Sequence, residues 1–396
     1  MNSIIIDKIN AKSAAIFEKV IAYRKQLHAH PELSFQEVET MKFVSEKLTD
    51  LGIEHTAGVG KTGVVALLKA DHHSNEMPCI GLRADLDALP ILEETGLDFA
   101  SKNTGVMHAC GHDVHTSILL GTAEILYELR NELPQPVKLI FQPGEEQNPG
   151  GATLMLADGV LENPTIKEMY ALHVFPEMEA GKIGFREGLY MASSDEIHLT
   201  IHGKGGHGAT PAACIDPIVI GANLIVQLQQ IISRKCNPGI PSVLTFGHFE
   251  ALGSTNVIPS KALLKGTFRT MDETWRAEAL TLLKTQIHAL VESQGATVEL
   301  TISKGYPFLK NDPALTKNLK TKAAEIIGKE NVIDLPIRMT SEDFAFYAQK
   351  IPVCFFRLGV RNEAKGIIHA VHNSKFDSDD AALITGMRSM SIAVFQ

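Results

Sequence analysis

Between residues 79 and 173 the chain alternates short apolar runs with stretches of helical spacing. That alternation restricts the fold more than any other feature. Residues 79–83 (CIGLR), 137–142 (VKLIFQ) and 169–173 (MYALH) have strand length, and residues 117–130 and about 152–156 read as helices between them. Such an order predicts a large mixed, mostly parallel sheet flanked by helices. In that architecture the polar residues just past the strand ends gather at one edge of the sheet.

The flanking segments extend the pattern. Residues 11–30 have the spacing of an amphipathic helix that ends at Pro31, and Ser34 with Glu37 forms a capping-box signature for a helix to about residue 51. Residues 63–69 form another apolar run of strand length. Near residue 193 the pattern changes. Strands at 196–203, 242–250, 260–270 and 297–303 alternate with helices at 216–233 and 273–294, in the order strand, helix, strand, strand, helix, strand. This is the split βαβ order of an α+β ferredoxin-like domain. The expected organisation is a catalytic domain in two parts, 1–189 and 306–396, with a domain inserted at 190–305. The second part is read as a helix at 313–328, a short helix at 341–348, a strand at 353–358 and a last helix from about 379.

Composition narrows the function. The chain has 396 residues, enough for two or three domains, and a net charge of −9 that argues against nucleic acid or an anionic membrane as partner. Its five cysteines are scattered and odd in number, which is no disulfide framework. The start, MNSIIIDKINAKS, lacks signal-peptide features, and no run is long enough to span a membrane. A reducing, cytoplasmic setting is expected.

The chemistry centres on residues 107–116, MHACGHDVHT. Cys110 and His112 flank Gly111, which permits a tight backbone on which both side chains converge. A thiolate and an imidazole aimed at one point suit a divalent metal, although a buried cysteine with ordinary loop histidines would spell the same triplet. Three further sites follow predicted strand ends or lie in a late loop: Glu145 with Glu146 after Pro143-Gly144, His173, and the pair His369 and His372. Together these supply donors for two metal ions. Adjacent glutamates diverge, so Glu146 can bind metal while Glu145 handles protons. A two-metal hydrolase needs that division, since two ions lower the pKa of a shared water and a carboxylate then moves its proton.

LHAHPELSFQE, GLRADLDALP, MHACGHDVHTS, FQPGEE, ALHVFP, GKGGHGATP, NVIPSKALLKGTFRT, TSEDFAFY and VHNSKFD follow one another from residue 27 to residue 377. In this order they resemble the dinuclear metal amidohydrolases and metallopeptidases that include aminoacylases, hippurate hydrolases and auxin–amino acid conjugate hydrolases. The resemblance implies Cys110, His112, Glu146, His173 and His372 as ligands of two divalent ions, with Cys110 bridging. It implies Glu145 as general base and acid, and Asp87 as the aspartate behind the metal centre that orients His112. Asp85 stands where the wider clan places a histidine ligand. The inserted domain is implied to form a homodimer, with His207 reaching the partner's active site to stabilise an oxyanion. Asn256 and Arg269 become substrate-binding candidates, Arg269 for a free α-carboxylate. Glu342 is placed near the cleft or at a helix start. Two positions depart from the family pattern: Ala212, where many relatives have histidine, and Ser374-Lys375, where proline is common.

The expected activity is hydrolysis of the amide bond of N-acyl amino acids. The alternatives are a dipeptidase or carboxypeptidase on the same scaffold, or a metal-binding protein without catalysis. Thiolate, imidazole and carboxylate together admit zinc, manganese, cobalt or nickel.

Overall fold

A computed structural model of the chain describes residues 3–74 and 76–395. The chain divides into two compact units. One comprises Met1–Gly188, Lys310–Pro336 and Phe346–Gln396, the other Leu189–Leu309 and Ile337–Ala345.

The first unit is built on a mixed sheet. Its strands lie in the spatial order His55–Val59, Gly63–Leu68, Val137–Gln142, Cys79–Asp85, Ile166–Glu179, Val353–Arg361, Ile183–Phe185, Val332–Asp334. The central pairings, from Val137–Gln142 across to Val353–Arg361, are parallel. Cys79–Asp85 and Val137–Gln142 are buried at every position, as strands covered on both faces must be. The helix His112–Glu128 is buried nearly all round and packs against Phe17–Ala29, Ala381–Ala393 and the strand Cys79–Asp85. Register fixes the working edge of this sheet. Asp85 lies opposite Gln142, Arg83 opposite Ala171, and His173 opposite Arg357.

Several expectations change here. The helix expected at 117 starts at His112, because Gly111 turns the chain at φ 80° and His112, Asp113 and His115 find buried partners in the first turn. The strand through His173 does not end there. It continues to Glu179 because Val353–Arg361 runs alongside it. The single helix expected at 11–30 is two, Ser3–Ala15 and Phe17–Ala29. The helix Val38–Asp50 is present, but its N-terminal Glu37 makes no side-chain capping bond.

The second unit holds four antiparallel strands in the order Ser242–Glu250, Lys261–Thr270, Asp195–His202, Thr297–Lys304. Asp195–His202 alternates buried and part-exposed positions, the mark of a sheet with one covered face. The helices Pro217–Gln230 and Glu273–Glu292 start at Asp216 and Asp272, whose side chains accept backbone N–H bonds in the first turn. Ile197, Leu199 and Ile201 pack with Leu224, Leu228, Leu283 and Ile287. The unit also takes in Ile337–Ala345, which lies outside the expected 190–305. The reason is local: Met191 bridges to Arg338, and the Ala192 N–H donates to the Thr340 carbonyl. No helix among the described residues is long and apolar enough to cross a membrane.

Candidate metal centre

The site begins at Gly111. Its φ of 80° suits glycine, and a Cβ there would lie 2.6 Å from Val174 Cγ2. The chain therefore passes close over the strand that carries His173, with Cys110 before the glycine and His112 opening the helix after it. Cys110 Sγ lies 3.4 Å from His173 Nε2. Donor atoms of Cys110, His112 and His173 all fall within 4.8 Å of one another, and so do those of Cys110, Glu146 and His372. Cys110 belongs to both groups, so the two sets share one sulfur.

The imidazoles of His112 and His173 are each held through the nitrogen that faces away from Cys110. His112 Nδ1 donates to the Asp87 carbonyl at 2.9 Å, with Asp87 Oδ1 at 3.1 Å, and His112 Nε2 is buried without a hydrogen-bond partner. His173 Nδ1 donates to the Val174 carbonyl at 2.8 Å, which turns Nε2 toward Cys110. His372 lies in the loop before the last helix. Its backbone is left-handed, φ 64°, and its N–H donates to the Ala109 carbonyl at 2.7 Å. A non-glycine residue held in that region is strained, and here the strain brings its imidazole to 3.3 Å from Glu146. His369, paired with His372 in the sequence reading, joins no group of donors among the described residues.

Glu145 and Glu146 follow the strand Val137–Gln142 after the two residues Pro143 and Gly144. Ligand atoms of both lie within 4.8 Å of one another and of a nitrogen of His112. Asp87 sits behind them. Its Oδ2 accepts the Ser34 hydroxyl at 2.6 Å and the Glu146 N–H at 2.9 Å. Asp85 has different work. It receives Arg83 at 2.6 Å and His115 Nδ1 at 2.6 Å, and it lies 3.7 Å from His112 Nε2. His115 Nε2 in turn accepts the Val174 N–H at 2.9 Å. Both His115 nitrogens are thus spent on protein, so the cluster of Asp85, His112 and His115 is a brace rather than an open donor set.

The electrostatics ask for cations. Burial, with the carboxylates of Glu146 and Glu145 close by, holds the Cys110 thiol well above its usual range. Burial pulls the His112 pKa down, but the carboxylates of Asp85, Asp87 and Glu146 outweigh it and raise it to about 10. Burial, with Arg357 nearby, keeps His173 neutral and its lone pair open. A divalent ion reverses the first two tendencies, because it stabilises thiolate and takes up the imidazole lone pair. The orphaned His112 Nε2, the shared sulfur and the carboxylate excess fit two divalent ions.

The second unit holds the remaining candidates. His207 lies opposite Val257 in a short two-stranded ribbon, and the Gly208 N–H donates to the Asn256 carbonyl at 2.8 Å, so His207 and Asn256 are neighbours. His207 is exposed, with Nδ1 accepting the Ala209 N–H at 3.0 Å. Arg269 donates to the Met339 carbonyl at 3.2 Å within the same unit, and burial lowers its pKa. Glu342 accepts the Phe344 N–H at 3.1 Å just before the helix Ala345–Ala348. His115 supports the centre as the sequence suggests, whereas the supporting roles of Ser34, Glu37 and Arg83 are not legible there. Ser34 and Glu37 do carry a signal in the sequence, but it spells a helix cap.

Known proteins resemble this chain along nearly its whole length. Residues 81–395 match the model of peptidase family M20/M25/M40. The N-acetyl-L-cysteine deacetylase of Bacillus subtilis (strain 168) is 38% identical over 383 residues, 96% of this chain and 88% of the relative. IAA-amino acid hydrolase ILR1-like 4 of Arabidopsis thaliana is 37% identical over 385 residues, 95% of this chain and 85% of the relative. The crystal structure of Bacillus subtilis YXEP, described as a dinuclear metal binding peptidase from the M20 family, superposes with a TM-score of 0.80 at 35% identity, covering 96% of this chain and 98% of that one. With the family model spanning most of the chain and relatives of this identity along nearly all of it, the chain belongs to peptidase family M20/M25/M40 and is a metal-dependent hydrolase.

Proposed function

We propose that the protein hydrolyses the amide bond of N-acyl amino acids, releasing a carboxylate and an amino acid. Cys110, His112 and His173 would hold one divalent ion, and Cys110, Glu146 and His372 the other. Bound there, the ions supply an acidified water and a Lewis acid for the carbonyl oxygen. Glu145 takes the proton from the attacking water and returns it to the leaving amine. Asp87 keeps His112 in the tautomer whose Nε2 faces the centre. The observation that carries this reading is the Glu145–Glu146 pair: Glu146 belongs to a donor group with Cys110 and His372, and Glu145 stands beside it within reach of the same space. A purely structural metal site closes its coordination and has no use for such a second carboxylate. The names of the N-acetyl-L-cysteine deacetylase and of the IAA-amino acid hydrolase support acyl-amino-acid substrates.

His207 serves the oxyanion in the partner subunit, and Asn256 and Arg269 bind substrate. The homodimer forms through the second unit. Ser242–Glu250 is an edge strand, and Val219 and Val226 are exposed on the helix Pro217–Gln230. An open strand edge beside exposed apolar side chains is a surface that pairs with a second copy. The setting is cytoplasmic, in keeping with five free cysteines.

The test is a panel of N-acetyl and N-benzoyl amino acids run against dipeptides, on chelated enzyme reloaded with zinc, manganese, cobalt or nickel. Faster turnover of the acyl amino acids is expected. A preference for dipeptides would move the reading to the peptidase named for the YXEP structure. No turnover of either class with any metal would favour a non-catalytic metal-binding protein.

A further inference from the structure

Glu37 is fully buried, yet its carboxylate makes no bond to the helix that it precedes. It is spent on two distant groups. One oxygen accepts the Thr62 hydroxyl at 2.6 Å and the other the Gly144 N–H at 2.8 Å. Gly144 is the residue before Glu145. On the other side of Glu145, the Glu146 N–H is held by Asp87 at 2.9 Å, and Asp87 is held by Ser34 at 2.6 Å. The two amides that bracket Glu145 are therefore each fixed by a buried carboxylate, and one segment, Ser34 to Glu37, governs both.

Phe35 lies inside that segment with φ 64°, a region costly for a bulky residue. Its ring rests on Gly144, itself left-handed at φ 59°, so closely that a Cβ at 144 would overlap it. Lys61 covers the ring from 4.6 Å. The Gly144 carbonyl accepts the Gly151 N–H at 2.8 Å, which closes the loop behind the glutamates. Backbone strain of this kind persists only where its surroundings enforce it, and it clusters at functional sites.

We propose that Glu37 is a positioning residue for Glu145: by gripping the Gly144 amide it sets the turn that aims the Glu145 carboxylate, while Asp87 sets Glu146 and His112. The inference rests on the reading of Glu145 as general base. Proton transfer requires the base within hydrogen-bond reach of the proton, and a displacement of about 1 Å by a remote change can cost roughly 100-fold in rate.

The test uses metal-loaded enzyme and the fastest substrate of the panel. Glu37→Ala should lower kcat roughly 100-fold, leave KM and bound metal at wild-type levels, and speed hydrogen exchange at the Gly144 amide. Glu37→Gln should recover most of the loss in both readouts, since its amide oxygen still accepts from Gly144 and the Thr62 hydroxyl can accept from the amide nitrogen. Thr62→Val should fall between the two, and with Glu37→Gln it carries the test if Glu37→Ala does not fold. A Glu37→Ala enzyme that melts earlier but keeps wild-type kcat would overturn the proposal. So would loss of metal, or a Glu37→Gln enzyme as slow as Glu37→Ala. Glu145→Gln, measured alongside, separates the two readings. If it stays active the base assignment fails, whereas exchange at Gly144 reports on the grip itself.

Discussion

Gly111→Ala isolates the contact on which the centre is built. Two costs follow from the structure. A side chain at φ 80° pays the left-handed penalty, about 1–2 kcal/mol. The new Cβ would also lie 2.6 Å from Val174 Cγ2 and 3.1 Å from Cγ1, an overlap worth about 1–3 kcal/mol. The variant should therefore unfold about 2–5 kcal/mol more easily than wild type in urea, measured on the chelated protein. Displacing Val174 also moves His173, because the Val174 carbonyl holds His173 Nδ1 and its N–H holds His115. Metal affinity, read by competition with a chelating dye, should fall about 10–100-fold, as it does when the groups orienting a ligand are lost. Val174→Ala removes both Cγ atoms and leaves Cβ at 3.4 Å, an ordinary contact. The double variant should consequently be more stable than the sum of the two single changes predicts, by about 1–3 kcal/mol, the size of the overlap alone. Additivity within about 0.5 kcal/mol would refute the close approach as the constraint.

Three other outcomes are expected. Glu145→Gln should keep its metal and lose turnover about 100- to 10,000-fold, and mixing it with His207→Ala should restore part of the activity in re-formed heterodimers; no recovery refutes the cross-subunit role of His207. Arg24 is buried against Asp380 at 2.5 Å, the Ser378 carbonyl at 2.7 Å and Asp377, so Arg24→Met should cost about 3–5 kcal/mol in a urea titration, and a loss below 1 kcal/mol would sink its role as the tie between the helix Phe17–Ala29 and the segment that leads into the last helix. Burial lowers the His28 pKa, but hydrogen bonds to Asp113 and Glu93 outweigh it and raise it to about 9. Protonated His28 therefore stabilises the fold fully below about pH 6.5, and that contribution, about 3 kcal/mol, is lost as pH rises through about 9; the stability gap between wild type and His28→Gln should shrink accordingly from pH 6 to pH 10, and a constant gap would contradict the assignment.

What the sequence made legible was what is local. The strand Val137–Gln142 has its expected bounds, and Pro313–Ile327 ends within a residue of its expected end, because apolar runs, Pro-Gly turns and capping aspartates act over a few residues. The edge strand His55–Val59 was not legible, since its middle residues are exposed and give no apolar alternation. The ligand candidates were legible for another reason. Cys110, His112, Glu145, Glu146 and His173 sit beside or within strands whose parallel direction, and hence whose shared working edge, follows from the alternation itself. The spacing alone does not separate His372 from His369; only the resemblance does, because what distinguishes them in the fold is a left-handed backbone at one of two loop positions.

Ser34 and Glu37 are the instructive error. A serine followed three residues later by a glutamate, ahead of an apolar helix, spells a capping box, and the helix Val38–Asp50 does follow. The partners of these side chains lie 53 and 107 residues away, at Asp87 and Gly144. No local pattern reports contacts at that separation. Burial does distinguish the two uses. A capping glutamate on a surface helix keeps its carboxylate in water, whereas a carboxylate with no exposure must be fully engaged by donors within the fold, or its desolvation would go uncompensated. Here the donors are a hydroxyl and the amide beside Glu145. The residues that begin one helix therefore also fix the turn on which the proposed chemistry depends, and a stretch that reads as a helix start is part of the centre.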